Sequence, residues 1–560
     1  MLSNKTYMAL TFLVAYWQPL QAASIEPSLP NAGSILQEVQ PLKRALPPSN
    51  DNSLKIDQVD ANQLPESDPF EVKQFAIKGN RSIDTKTLHA LVEGKEGQSL
   101  TLRQLGELAS TLTRYYHEHN YPLAVAIVPA QEVKDGVVTL QVLEASYGKV
   151  VLDNQSKLRS MLFNNTASPL KSGELIAGDA LNRTLLILND IPGINVNAEI
   201  KQGEAVGTSD LTIKATDAKW WRASISSSNS GSASIGRMRG NANLDLFNPL
   251  GLGDILSISG MTAGNSMNYG RASYELLING QGTRVGAAYS NLYYQLGQQY
   301  KSINAHGSSE NLSAWFKQPL IRSMGMNLYA QAEIDHAVLK DHIDQISSKT
   351  DRTIDYGVIS LSGDRRDHLF SDGINLFSLS LSTGKLSFDD AYAKFIDRYT
   401  TQSHGEFTKL NLNLTRMQQL GHQFSLYGNL AAQWTNSNLD SSQKMIIGGP
   451  YSVRAYDVSA LSGDAGETVT LELRKDLPSS IGNWQAVAFY DAAHININHA
   501  PWRSGTNDAT LQGVGLGLSW QNSNLWSARM SIAAPVGNET KLLSLSSIGP
   551  RVWAEVRKDF

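Results

Sequence analysis

The chain has 560 residues, a net charge of −4 and no cysteine, which removes disulfides, thiolate catalysis and cysteine-held metal and gives no argument for nucleic-acid binding. Hydrophobic residues make up 41% of it, yet no apolar run of the roughly 20 residues that a helical membrane span needs occurs after the first two dozen positions.

Lys5, an apolar stretch over residues 7–17 and the small-residue pattern Leu20-Gln21-Ala22 predict a removable signal peptide over residues 1–23, with cleavage after Ala22 or Ala23. Residues 24–45 hold a short predicted helix at 32–40, with Ile35, Leu36 and Val39 on one side. Residues 46–69, rich in Pro, Asn, Asp and Ser, read as a linker.

From 70 to 147 the predicted order is strand, helix, helix, strand, strand: a strand at 70–77 before the turn Gly79-Asn80, helical spacing at Leu105, Leu108, Leu112 and Tyr115, then strands at 124–128 and 137–143. A second small α+β module is predicted for 148–218, with a helix at 180–189, a turn at Ile191-Pro192-Gly193 and strands at 196–200 and 211–215. Each module, at ~70–75 residues, is long enough for a modest core.

Residues 219–560 change rhythm. Phe424, Leu426, Gly428, Leu430, Ala432 and Trp434 share one parity, and Ser425, Tyr427, Asn429, Ala431 and Gln433 the other. The same period recurs in Leu328-Ala330-Ala332-Ile334, Phe377-Leu379-Leu381, Leu410-Leu412-Leu414 and Val469-Leu471-Leu473, each against polar neighbours. One face suits lipid and the other water, and roughly 9–11 residues suffice for a tilted strand to cross a bilayer, so these segments predict a transmembrane β-barrel.

Three pieces, Phe75-Ala76-Ile77-Lys78-Gly79-Asn80, Leu188-Asn189-Asp190-Ile191-Pro192-Gly193 and Gly207-Thr208-Ser209-Asp210-Leu211, resemble the paired POTRA domains of two-partner secretion transporters, the TpsB family of haemolysin, filamentous-haemagglutinin and contact-dependent-inhibition exporters. Phe247-Asn248-Pro249-Leu250-Gly251-Leu252-Gly253-Asp254 resembles an early barrel hairpin of that family. The resemblance implies a membrane β-barrel of about 16 antiparallel strands preceded by two POTRA domains and an N-terminal plug helix; ~340 residues over that count leave ~21 per strand with its connection.

The resemblance also implies a site. An inward-folded loop near 440–465 would carry the tip motif Val453-Arg454-Ala455-Tyr456, with Ala455 where the family has Gly, and the barrel wall would answer with Phe489 and Asp491 of Phe489-Tyr490-Asp491. Phe489 and Asp491 share a strand parity, so if that parity faces the lumen, Asp491 can meet Arg454 while Tyr490 faces lipid. Ile35, Leu36 and Val39 would belong to the plug helix. Phe560, with Val552, Ala554 and Val556 at matching parity, resembles the terminal aromatic by which the barrel assembly machinery recognises its clients.

The implied function is export of a large partner exoprotein (adhesin, haemolysin or contact-dependent growth-inhibition toxin) from periplasm to cell surface. The POTRA domains would bind the unfolded partner by adding its extended segment to a strand edge. The expected setting is the Gram-negative outer membrane, with the POTRA domains in the periplasm, lipid and periplasmic chaperones as further partners, and a monomeric chain. No catalytic residue, metal or cofactor is predicted: His117-Glu118-His119 lacks metal-ligand spacing, Gly513-Val514-Gly515-Leu516-Gly517 lies in an alternating segment, and Asp364-Arg365-Arg366-Asp367-His368 reads as a loop or lumen patch. The alternatives are a POTRA-bearing insertase of other barrels, a passive pore, and an outer-membrane enzyme, in falling order.

Overall fold

The structure is a computed structural model that describes residues 29–39, 64–537 and 549–560. The predicted signal peptide and most of the predicted linker lie outside these residues.

Sixteen antiparallel strands close into a barrel in which chain neighbours pair in order, and the first strand, Trp221–Ser228, closes on the last, Arg551–Asp559. Alternation assigns the faces. On the strand Asp508–Gln521, Val514, Leu516 and Leu518 point outward and are 43%, 63% and 43% exposed, while Gly513, Gly515 and Gly517 point inward. Several strands run well past the bilayer: Ser348–Asp367 has 20 residues, against the roughly 9–11 a crossing needs. Its exposed Ile359 and Leu361 sit toward its module-bearing end, so the extra length projects outward on the far side.

The two modules repeat one topology. In the first, Gln74–Lys78 and Val125–Ile127 flank a central Val137–Leu143, parallel on one side and antiparallel on the other, under the helices Thr85–His89 and Leu102–Glu118. The longer helix starts at a reciprocal cap between Thr101 and Gln104 and buries Leu105, Ala109, Leu112 and Tyr116. In the second, Ser146–Asn154 and Ile194–Gln202 flank Thr208–Asp217 with the same senses.

Two details depart from expectation. The strand predicted over 70–77 is two pieces: Phe70–Val72 pairs with Gln98–Leu100, and Gln74–Lys78 with Val137–Leu143. The break is at Lys73, whose N–H and that of Gln74 both turn to the Gly136 carbonyl. The second module has a helix at Ser160–Ala167 that the sequence reading left out. Its Asn pair and Thr are poor helix formers, and burial of Leu162 and Phe163 overrides them.

The helix Ala32–Val39 lies inside the barrel. Ile35, Leu36 and Val39 pack into an apolar patch that includes Leu292, Tyr294, Leu339 and Ile354, inward-facing residues of the long strands.

Candidate functional site: an inward loop clasped to the lumen wall

Between the strands Phe424–Thr435 and Ala465–Ser479, the chain folds back into the lumen as a long loop stiffened by a short hairpin, Met445–Ile447 against Leu461–Gly463. Gly448 and Gly449 take positive φ (101° and 92°) to turn the tip, and the Gly449 N–H closes it on the Tyr456 carbonyl at 3.1 Å. Val453, Ala455 and Tyr456 are all buried there. Ala455 is not among the positive-φ residues, so the substitution of the family glycine costs no backbone strain. Its methyl instead presses on the wall at Gly513, where an added Cβ would come within 2.5 Å of it. The Gly-rich segment 513–517 is therefore close-approach wall.

Arg454 meets Asp491 in a fork. Nε donates to Oδ2 and Nη2 to Oδ1, both at 2.7 Å, and the Arg454 backbone N–H adds a third bond to Oδ2 at 3.1 Å. The Arg454 Nη1 reaches Glu472 Oε1 at 2.7 Å, and the guanidinium plane lies 3.4 Å from the Phe489 ring centroid. Phe489 can lie flat there because Gly515 faces it; a Cβ on Gly515 would fall 2.3 Å from the ring. Asp491 is fully buried and also accepts from Thr470 Oγ1. Trp553 of the last strand donates its indole N–H to the Arg454 carbonyl at 2.8 Å. Bidentate, charge-assisted bonds between desolvated partners are worth most when further bonds satisfy the pair, and here all three guanidinium nitrogens donate to a carboxylate.

The structure thus brings Val453, Arg454, Ala455 and Tyr456 together with Phe489 and Asp491, and puts Tyr490 on the outer parity, bonded to Gln512. Three members escaped the sequence reading: Glu472, its second partner Arg474 (2.8 Å), and Trp553. Alternation alone placed Glu472 on the polar parity; only the strand register, which sets it opposite Phe489, makes it a ligand of the loop.

A second set of polar contacts holds the lumen helix. Asn31 and Ser34 cap it reciprocally, and the Ala32 N–H donates to Asp341 Oδ1 at 2.7 Å, placing a carboxylate at the positive end of the helix. Asp341 also takes bonds from Tyr294 and Arg352, and Arg352 reaches on to Asp440 at 2.6 Å. At the other end Glu38 pairs with Arg239 at 2.5 Å and accepts from Ser459 at 2.7 Å. Ser441 donates to Asn31 at 2.7 Å, so the helix touches both the wall and the inward loop. Beside it a cavity of about 1310 Å³ remains, lined by Arg239, Trp484, Glu555 and Arg557 among others.

The remaining candidates are accounted for locally. Phe560 is partly exposed at the barrel's outer surface, its N–H bonded to the Ala223 carbonyl across the closing seam. His117 bonds the Ala124 carbonyl within the first module. Asp364 accepts from Asn327 on the inner wall, whereas Asp367 pairs with Arg416 on the outward parity, both near the module-bearing end.

The profile of the family described as haemolysin secretion/activation protein ShlB/FhaC/HecB matches residues 207–520, and that of the POTRA domain, ShlB-type, matches residues 70–145. The chain is 30% identical over 476 residues to the heme/hemopexin transporter protein HuxB of Haemophilus influenzae, covering 84% of each chain. To the outer membrane transporter CdiB of Dickeya dadantii it is 23% identical over 92% of this chain and 93% of that one. In fold it is similar to CdiB from Escherichia coli (TM-score 0.69, 19% identity, 92% and 94% covered) and to BamA from Haemophilus ducreyi lacking POTRA domains 1–3 (TM-score 0.53, 14% identity, 88% and 100% covered). A closed sixteen-strand barrel behind a ShlB-type POTRA domain, matched by that family over more than half of the chain, belongs to the ShlB/FhaC/HecB family: the chain is an outer-membrane transporter of the two-partner secretion type.

Proposed function

We propose that this protein carries one large exoprotein from the periplasm to the cell surface, with Arg454 and Asp491 as the fixed anchor of the inward loop and the helix Ala32–Val39 as a removable plug. The observation that carries the reading is the contrast inside one lumen. The loop tip is held by a bidentate, aromatic-covered clasp, whereas the plug is an eight-residue helix, shorter than the ~12–15 residues an isolated helix needs to persist. An exported polypeptide and the helix cannot share the same space, so the helix leaves while the loop stays. Unfolded cargo would dock by strand addition on the modules, and export would draw on binding, release and folding outside.

Among possible cargoes we favour an exoprotein that handles haem or haemopexin, because identity to the heme/hemopexin transporters is 30%, against 23% for CdiB. The test is co-expression with the large exoprotein encoded beside it, following surface appearance and haem binding by the exported material. Export that survives Arg454→Ala and Asp491→Ala at the normal rate, in barrels that insert normally, removes the anchor from the account.

A further inference from the structure

Two of the sequence motifs that carry the family resemblance make no contact with the clasp or the plug. Leu188-Asn189-Asp190-Ile191-Pro192-Gly193 closes the long helix of the second module, and Phe247-Asn248-Pro249-Leu250-Gly251-Leu252-Gly253-Asp254 is the first turn of the barrel on the side facing that module. They meet each other. Gly193, at φ +79°, passes so close to Phe247 that an added Cβ would lie 3.1 Å from the Phe247 Cβ. Gly251, at φ +73°, accepts from the Arg159 N–H at 2.9 Å and leaves no room for a side chain against the Lys157 carbonyl.

The turn is pre-shaped from within. Asn248 Oδ1 accepts from the Gly253 N–H at 2.9 Å, and the fully buried Asp254 accepts from the Leu252 N–H at 3.0 Å and from the Tyr274 hydroxyl at 2.8 Å. So braced, it packs the half-buried Leu252 against the hydrophobic core of the second module, and Leu277 of a neighbouring barrel strand is buried within that core. A core shared between two units does not slide.

Two arginines fix the rotation about this contact: Arg183 of the module donates to the Pro319 carbonyl of the wall at 3.2 Å, and an ion pair runs the other way. Arg322, 7% exposed on the wall strand Ala305–Arg322, forks onto Asp190, with Nε to Oδ2 at 2.7 Å and Nη2 to Oδ1 at 2.8 Å. Its third nitrogen is spent on Asn327, which in turn is held by Asp364, so the guanidinium is set in place before the module arrives. The joint between the two modules is of another kind: the N-terminus of the helix Gly178–Asn189 rests on Asn120 through the Gly178 and Asp179 N–H groups.

We propose that the second module and the barrel move as one rigid body, with Asp190 and Arg322 as positioning residues that set the angle at which the edge strand Ile194–Gln202 is presented at the periplasmic mouth. Resting on the reading of the modules as cargo receptors, this makes the second module a fixed ramp, and any swinging needed to gather cargo falls to the first module.

Because the chain has no cysteine, two introduced ones are unique labelling sites. Nitroxides at Lys201→Cys and Gln419→Cys, both exposed, report the module-to-barrel distance by pulsed electron resonance in the purified full chain. The expected result is one narrow distribution in the parent. Asp190→Arg or Arg322→Asp alone should broaden or displace it, and the double exchange should return it toward the parent, with the barrel heat-modifiable throughout. A broad parent distribution, a narrow one untouched by Asp190→Arg, or a double exchange as broad as the single ones would overturn the proposal. The distance involves no exoprotein, so this outcome stands apart from success or failure of the export assay.

Discussion

The lumen holds two clasps of similar chemistry and opposite design. Around Arg454 every partner belongs to the loop or to the wall, and Asp491 is 1% exposed in its side chain, so withdrawing the loop would take three N–H donors from that carboxylate and leave it the Thr470 hydroxyl. Around the lumen helix, the groups left behind have somewhere to turn. Asp341 retains Tyr294 and Arg352, and Arg239, which gives up its bonds to Glu38, borders a cavity with room for water to replace them. An ion pair fixes an element only when departure leaves a bare charge; where the survivors have other partners or water, the same pair is a latch.

The sharpest way to break the comparison is to remove one side of the loop clasp. Asp491→Ala should cost about 3–5 kcal/mol of loop docking, since it leaves the Arg454 guanidinium unpaired on its main face. That moves the docked-to-free ratio by roughly a hundredfold or more, and surface appearance of the exoprotein should collapse without a rise in pore conductance. Arg239→Ala should do the reverse. It frees Glu38 and the helix end, and planar-bilayer recordings should show larger and longer openings than the parent. Truncating the apolar side, Leu36→Ala, should weaken helix docking by about 2–4 kcal/mol and give the same phenotype as Arg239→Ala in milder form.

Glu472→Gln probes the less exclusive arm of the loop clasp. Asp491 still holds Arg454, so the loss should be about 1 kcal/mol and the export defect small. The smallest effect falls outside the lumen, in the first module. Burial works to raise the Glu144 carboxyl, but N–H groups of Ser82 and Arg81 and hydroxyls of Tyr116 and Ser82 outweigh it and hold it below its ordinary 4.5. A carboxyl lowered on folding stabilises above its unfolded value and loses that contribution as pH falls below 4.5. Melting of the first module in the parent should therefore drop more steeply below that pH than in Glu144→Gln.

Much of this architecture is legible in the residues. Alternation at Val514-Leu516-Leu518 needs only a lipid on one side, and capping at Thr101 and Gln104 needs only local bonds. Arg454 and Asp491 were readable because each sits in a short motif. Glu472, Trp553, Arg239 and Arg352 were not, because what makes them ligands is barrel register and closure. Glu472 faces Phe489 only once two strands align, and Trp553 lies 99 positions from the carbonyl it holds. The helix Ser160–Ala167 was hidden for a related reason, its stability being tertiary and not written in its own propensities.

The central claim is that the helix must leave while the loop must stay, and two reducible cross-links separate them. Asn31→Cys with Ser441→Cys would lock the start of the helix in the lumen by a disulfide, since the two side chains meet at 2.7 Å. Asp457→Cys with Arg551→Cys, in place of a loop-to-wall ion pair at 2.8 Å, would lock the loop to the wall through a short bis-methanethiosulfonate bridge. With surface appearance of the exoprotein as the readout, the account predicts that the closed helix lock blocks export and reduction restores it, while the closed loop lock exports at the parental rate. Export at the parental rate through the closed helix lock would contradict it.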